Sequence, residues 1–231
     1  MNRREQWLLH TEDPQPERKN GLVEGRRGAR WHAVSMSVTI AIALFDGAEE
    51  LDWAGPWEVL SAWAHYWPDD GVEVFTVAQE SGPIECAKGL KVLPDHTWES
   101  APDFDVLVYP GGRGTRPHLK DDAVLNWVRS HAERGALMTS VCTGALVYGA
   151  AGLLRDRPAT THWGALDELR ATDPTIDVRD GDRYIDTGDI VTAAGVSAGI
   201  DMALHLIVRL HSEERAREVK RAIQYDPEPP V

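Results

Sequence analysis

The run Val38-Thr39-Ile40-Ala41-Ile42-Ala43-Leu44 is short, apolar and rich in β-branched residues, with none of the alternation of a half-exposed strand. Such a run reads as a strand buried on both faces, the mark of a parallel sheet covered by helices on each side. The texture recurs at Val72–Val77, Asp105–Tyr109, Ala136–Val141 and Ile190–Ala193. Helical patterns follow at Asp122–Glu133, Thr143–Ala151, Gly164–Ala171, Ser197–Leu210 and Glu213–Gln224. One more helix is expected after the first strand, with Pro56 in its first turn, where a missing N–H is harmless. Strands alternating with helices of about 10–15 residues predict βαβ units and an α/β fold with a mostly parallel sheet. The turn-rich stretch Gly82–Trp98 predicts a small hairpin excursion.

Residues 1–35 have a different character, rich in Arg, Glu, Pro and Gly and without helical or strand periodicity. They predict a disordered tail ahead of one domain over 36–231, with Met36 as its candidate start. Seven Lys+Arg against five Asp+Glu give the tail +2, so a chain of total charge −13 carries −15 on the domain. That acidity argues against nucleic acid as a partner, because phosphate binding needs clustered positive charge. No segment approaches the roughly 20 apolar residues of a membrane span, and no signal peptide is visible, so no membrane role and a cytoplasmic location are expected.

Four of the nine Trp fall at 53, 57, 63 and 67. With Leu60 they occupy an arc of about 120° on one helix face. The stripe suits a core-facing or dimer-facing surface, with an apolar substrate pocket as the alternative.

In parallel α/β sheets, ligands bind beyond the carboxyl ends of the strands. Three segments fall there: Glu49–Pro56, Tyr109–Gly114 and Thr139–Ala145. The third places Cys142 between a buried strand and a helix, the setting of a nucleophile elbow, where a helix N-terminus is expected to lower the thiol pKa. A buried cysteine acting as a small hydrophobe is the plain alternative. Cys86 has no such setting and reads as structural, and two cysteines form no disulfide framework.

Gly111 and Gly112 either make a turn or let backbone N–H groups approach a developing anion. They are no dinucleotide fingerprint, since Gly112-Arg113-Gly114-Thr115-Arg116-Pro117 lacks the third glycine. Asp52 is either a helix-start residue or, in an apolar pocket beside a thiol, a carboxyl whose raised pKa leaves it a proton to donate. His162 lies twenty residues beyond Cys142 at a predicted strand end, and is either a satisfied histidine or part of the site. No metal-ligand spacing occurs, so no metal is expected.

The blocks LDWAGPWEVL (51–60), VLVYPGGRG (106–114), TSVCTGALVYGAAGLL (139–154), ATTHW (159–163), AAGVSAGID (193–201) and IQYDPEPPV (223–231) resemble the ThiJ/PfpI superfamily, and most nearly its isonitrile hydratase branch. The resemblance runs from about Val38 to the C-terminus. It implies a flavodoxin-like three-layer sandwich, usually a homodimer, using no cofactor and acting on a small molecule. In that branch a cysteine attacks the isonitrile carbon to give a thioimidate, and water releases an N-substituted formamide. The resemblance assigns the cysteine to Cys142, its neighbour to Thr143 and the acid to Asp52. Gly112 and the residue after the cysteine fall at the superfamily's anion-stabilising pocket, and Trp53 or Trp163 would line an apolar substrate site.

Departures narrow the reading. Protease-like members follow the cysteine with histidine, where this chain has Thr143. Glyoxalase and deglycase members usually carry Glu where it has Asp52, which leaves activity on α-oxoaldehydes as an alternative. Regulators of the superfamily append a DNA-binding domain, for which a chain ending at Val231 has no room; a stand-alone small-molecule sensor is the other alternative.

Overall fold

The computed structural model describes residues 37–226; the expected tail at 1–35, the candidate start Met36 and residues 227–231 lie outside them. The elements run β1 (Val38–Ala43), α1 (Glu50–Tyr66), β2 (Val72–Ala78), β3 (Ile84–Glu85), β4 (Lys91–Val92), β5 (His96–Thr97), β6 (Val106–Tyr109) and α2 (Thr115–His118). They continue with α3 (Asp122–Glu133), β7 (Leu137–Val141), α4 (Gly144–Ala150), β8 (Pro158–Ala159), α5 (Leu166–Thr172), β9 (Asp177–Val178), β10 (Tyr184–Asp186), β11 (Ile190–Ala193), α6 (Ala198–Leu210) and α7 (Glu213–Ala222).

A seven-stranded sheet in the order β10-β11-β7-β6-β1-β2-β5 forms the middle layer. Every pairing in it is parallel except β10 with β11. The apolar runs are buried on both sides because successive side chains point to opposite faces. Ile40, Ile42, Val106 and Val108 enter a core shared with α1, α6 and α7. Ala41, Ala43, Leu107 and Tyr109 enter the opposite core, shared with α3, α4 and α5. The result is the expected three-layer sandwich. The expected hairpin is β3–β4, while the edge strands β5 and β10 went unread because two or three residues carry no periodicity.

Pro56 does not lie in the first turn of its helix. The helix begins at Glu50, since Glu50 and Asp52 suit a helix start, and Pro56 therefore falls in the second turn. There its missing N–H is one that would have bonded the Asp52 carbonyl. The tryptophan stripe faces the core: Trp63 is fully buried, and Trp53, Trp57 and Trp67 pack half-buried against the same cluster. The Trp63 indole donates to Asp70 Oδ2 at 2.7 Å, and Arg215 of α7 donates to the same carboxylate, which ties α1 to the C-terminal helix.

Candidate active site

After β1 the chain pairs on one side of that strand through β2, and later on its other side through β6. This reversal opens a crevice beyond the carboxyl ends of β1 and β6, where parallel sheets bind ligands. The three segments singled out above converge on it. Asp52 comes from the first turn of α1, Gly111 and Gly112 follow β6, and Cys142 follows β7. An isolated bridge between Ala48 and Gly112, with the Glu49 N–H donating to the Gly111 carbonyl at 2.9 Å, fastens the first two loops together.

Cys142 occupies the turn from β7 to α4 with φ 55°, a left-handed conformation that costs a non-glycine residue about 1–3 kcal/mol. The surroundings over-determine it. Its N–H donates to the carbonyls of Ala193 and Ala194 at 3.1 and 2.9 Å, and its own carbonyl accepts Thr161 Oγ1 at 2.7 Å. The backbone N–H groups of Thr143 and Val196 bond the sulfur and favour the thiolate. Val196 is itself β-branched with φ 46°, a second strained position beside the same sulfur. The sequence reading missed Val196 and Thr161, although both lie in quoted motifs: Val196 acts through its backbone N–H, which leaves no side-chain signature, and the Thr161 hydroxyl meets a backbone carbonyl nineteen residues away that only the fold brings near.

Asp52 is fully buried. Its Oδ2 accepts the Gly111 N–H at 2.9 Å, and its Oδ1 has no partner. Burial pushes the carboxyl up from 3.8 to about 7, with the charge of Glu49 adding to the rise; the bond from Gly111 and the Cys142 thiol pull the other way. The expected low-pKa thiol is corrected here. Burial and the Asp52 charge push Cys142 up to about 12, and the two backbone N–H groups offset only part of that. The acid is thus poised near neutrality, and the adjoining thiol holds its proton.

The expected backbone anion pocket also changes form. The Gly112 N–H donates to Thr143 Oγ1 at 2.9 Å and so is already engaged. The Thr143 N–H, by contrast, does reach the sulfur. Gly111 is required by close approach: a Cβ there would collide with the Thr143 N–H and sit 2.8 Å from Asp52 Oδ2.

His162 and Trp163 line an open cavity of about 400 Å³ with Thr160, Thr161 and Ala194–Val196, the segments that flank Cys142. His162 Nδ1 accepts the Gly164 N–H at 3.1 Å, and Trp163 is 78% exposed at the rim. Trp53 is not among the residues lining this cavity; its indole neighbours Cys86 instead, and it packs against both cores. A larger cavity of about 500 Å³, walled by Phe45, Tyr109, Trp98 and Trp127, lies apart from Cys142 on the β1–β2 side. Among the described residues no cluster of three or more His, Cys, Asp or Glu could hold a metal ion, and no helix is long and apolar enough to cross a membrane.

Residues 38–209 match the model of the DJ-1/PfpI family. The chain is 40% identical over 195 residues to isonitrile hydratase from Pseudomonas putida, covering 84% of this chain and 82% of that protein. It is 31% identical over 147 residues to the HTH-type transcriptional regulator CdhR of Pseudomonas aeruginosa, but spans only 42% of that protein. Among solved structures, a ThiJ/PfpI family protein from Pseudomonas syringae superposes with a TM-score of 0.76 at 29% identity, over 90% of this chain and 84% of the other.

Proposed function

This chain belongs to the DJ-1/PfpI family, and from that premise we propose that it hydrates isonitriles to N-substituted formamides through Cys142, Asp52 and Thr143. The observation that carries the proposal is the fully buried Asp52 carboxyl, poised at about 7 against the Cys142 thiol. Neither group needs to ionise alone. Above about pH 7 the pair holds one proton, carried by the thiol, and the reaction moves that proton between them and the substrate.

In the first step the sulfur bonds to the isonitrile carbon while its proton passes to the Asp52 carboxylate, which delivers it to that carbon. The product is a thioimidate, with the thiol proton now on carbon. The freed carboxylate then takes a proton from water as the water oxygen adds to the thioimidate carbon, and passes it to nitrogen. Breakage of the C–S bond, with the hydroxyl proton returned to sulfur through Asp52, gives the formamide and restores the pair. Thr143, whose Oγ1 is fixed by the Gly112 N–H, supports this sequence as a hydroxyl donor to the reacting nitrogen or water. The cavity rimmed by His162 and Trp163 does not include Cys142 in its lining and also carries Asp180, Asp182 and Arg183; in this reading Trp163 and Val196 offer the substituent its apolar contacts there.

Incubation with alkyl and aryl isonitriles, with formamide followed by chromatography, tests the reading. Turnover by the wild type and none by Cys142→Ala is expected; a wild type that leaves every isonitrile untouched overturns it. The likeness to a transcriptional regulator favours a second reading, a small-molecule sensor, which would bind a ligand without turnover and still bind it after Cys142→Ser. Lactate formed from methylglyoxal would redirect the chemistry to α-oxoaldehydes. The homodimer is likewise a proposal, checked by light scattering of the purified chain.

A further inference from the structure

Behind Thr143 lies a hydrogen-bond network that the reaction above leaves unused. The Gly112 carbonyl accepts Thr115 Oγ1 at 2.8 Å, Arg116 Nη1 at 3.1 Å and the Thr115 N–H at 3.3 Å. A carbonyl oxygen has two lone pairs, so these donors saturate it. Thr143 Oγ1 donates to the same oxygen across 3.2 Å and accepts Thr115 Oγ1 at 3.3 Å. Among the described residues its one proton therefore has a single acceptor, the contested Gly112 carbonyl, while its oxygen is held by the Gly112 N–H at 2.9 Å. Thr115 is fully buried. Arg116 also donates to Thr115 Oγ1 at 3.2 Å, and its guanidinium is fixed by a two-pronged contact to Glu168 of α5, at 2.9 and 3.1 Å.

We infer that Thr115 and Arg116 are positioning residues for Thr143: by crowding the Gly112 carbonyl they hold the bond of the Thr143 hydroxyl to it long and weak, so that its proton is free to turn to a ligand atom bound beside Cys142. The inference rests on the hydratase reading for the identity of that ligand, but the long bond from Thr143 to the Gly112 carbonyl is a property of the network itself. Thr115→Val removes the closest donor while keeping shape. The Gly112 carbonyl, less crowded, then holds the Thr143 proton closely and away from the substrate.

The test is a double-mutant cycle with a structural arm. Thr115→Val is expected to lower kcat on an isonitrile about tenfold with KM little changed, and Thr115→Ser to restore it. In a Thr143→Val background the same Thr115→Val change is expected to cost less than about twofold, because there is no hydroxyl left to aim. A merely structural Thr115 would cost as much in that background as in the wild type, and that result overturns the inference. Crystal structures of wild type and Thr115→Val read the network without any turnover: Thr143 Oγ1 is expected to close from 3.2 Å to below about 2.9 Å on the Gly112 carbonyl. An unchanged distance also overturns it. Should Thr115→Val fail to fold, Arg116→Met at its partly exposed site removes the second donor and is read by the same distance. A wild type inactive on isonitriles that still shows the closure sinks the hydratase reading and leaves the positioning standing.

Discussion

Cys142 and Cys86 are both buried thiols, and burial raises the pKa of each with nearby carboxylates adding to the rise. For Cys86 those carboxylates are Glu50, Asp46 and Glu49; for Cys142 the carboxylate is Asp52. By burial and pKa direction alone the two would be ranked together. They differ in what surrounds the sulfur. Cys142 sits in a left-handed turn, receives two backbone N–H groups and adjoins a carboxyl at about 7 that is itself buried. Cys86 belongs to the β3–β4 turn, where its N–H donates to the Leu90 carbonyl at 2.8 Å and its carbonyl accepts the Gly89 N–H at 3.0 Å. What separates the two raised thiols is the buried carboxyl in hydrogen-bond contact with Cys142, which under the proposed function is its proton acceptor.

The largest expected effect breaks the comparison outright. Cys142→Ala is expected to cut isonitrile turnover at least ~1000-fold, because removal of a covalent nucleophile leaves only binding and the remaining polar groups. Cys86→Ala, which deletes a small buried thiol with modest packing loss, is expected to stay within about twofold. Steady-state formamide formation measures both, and equal losses would dissolve the distinction.

Next in size is the acid. Asp52→Asn keeps the shape and still accepts the Gly111 N–H, but can no longer take the thiol proton, so a loss of about 100-fold in kcat is expected. The wild-type kcat/KM should fall as pH drops below about 7, where Asp52 is protonated and no base remains for the thiol. The variant should lose that limb. A wild-type profile flat from pH 6 to pH 8 would detach Asp52 from the chemistry.

A smaller pair of effects contrasts the backbone around each cysteine. Gly111→Ala drives a Cβ into Thr143 and Asp52, and an overpacking cost of about 3 kcal/mol with loss of activity is expected. Gly89, in the Cys86 turn, has φ 93° and open space where its Cβ would stand. Gly89→Ala should therefore cost only backbone strain, about 1 kcal/mol, with activity kept. Denaturant unfolding and the turnover assay report both.

The sandwich was legible because two-sided burial leaves apolar runs in β1, β2, β6, β7 and β11 that no other fold class explains as simply. Asp52, Gly111, Gly112 and Cys142 could be placed together because all follow strand ends, a rule of topology that sequence order exposes. The rest depended on distances that sequence does not encode. Whether the helix dipole or burial dominates at Cys142 is decided by how dry the pocket is, and the pocket proved dry enough to reverse the expected direction. Engagement of the Gly112 N–H by Thr143 depends on a loop approach that residue types do not reveal. Trp53 reads in the sequence as a lining residue for an apolar substrate, but which way its ring turns from the helix depends on packing, and its indole lies by Cys86 instead.

The smallest effect sharpens the comparison through stability. Unfolded, Asp52 ionises near its ordinary 3.8; folded, it keeps its proton up to about 7. Between those values the folded chain binds more protons than the unfolded one, so this group's contribution to stability falls as pH rises and levels off above the folded pKa. From pH 6 to pH 8 the loss is about 1 kcal/mol, which for a chain of this size lowers Tm by about 2–4 °C. Other groups add their own pH dependence, among them His118, which burial lowers from its ordinary 6.5. The difference between wild type and Asp52→Asn at each pH removes their share. Asp52→Asn should flatten the slope, whereas Cys86→Ala should leave it as it is. Activity and stability would then run in opposite directions across neutrality because of one carboxyl: ionising it arms Cys142 and at the same time strands a charge in the core. If the slopes of wild type and Asp52→Asn coincide, Asp52 is not the group held near 7, and the contrast between the two cysteines loses its chemical basis.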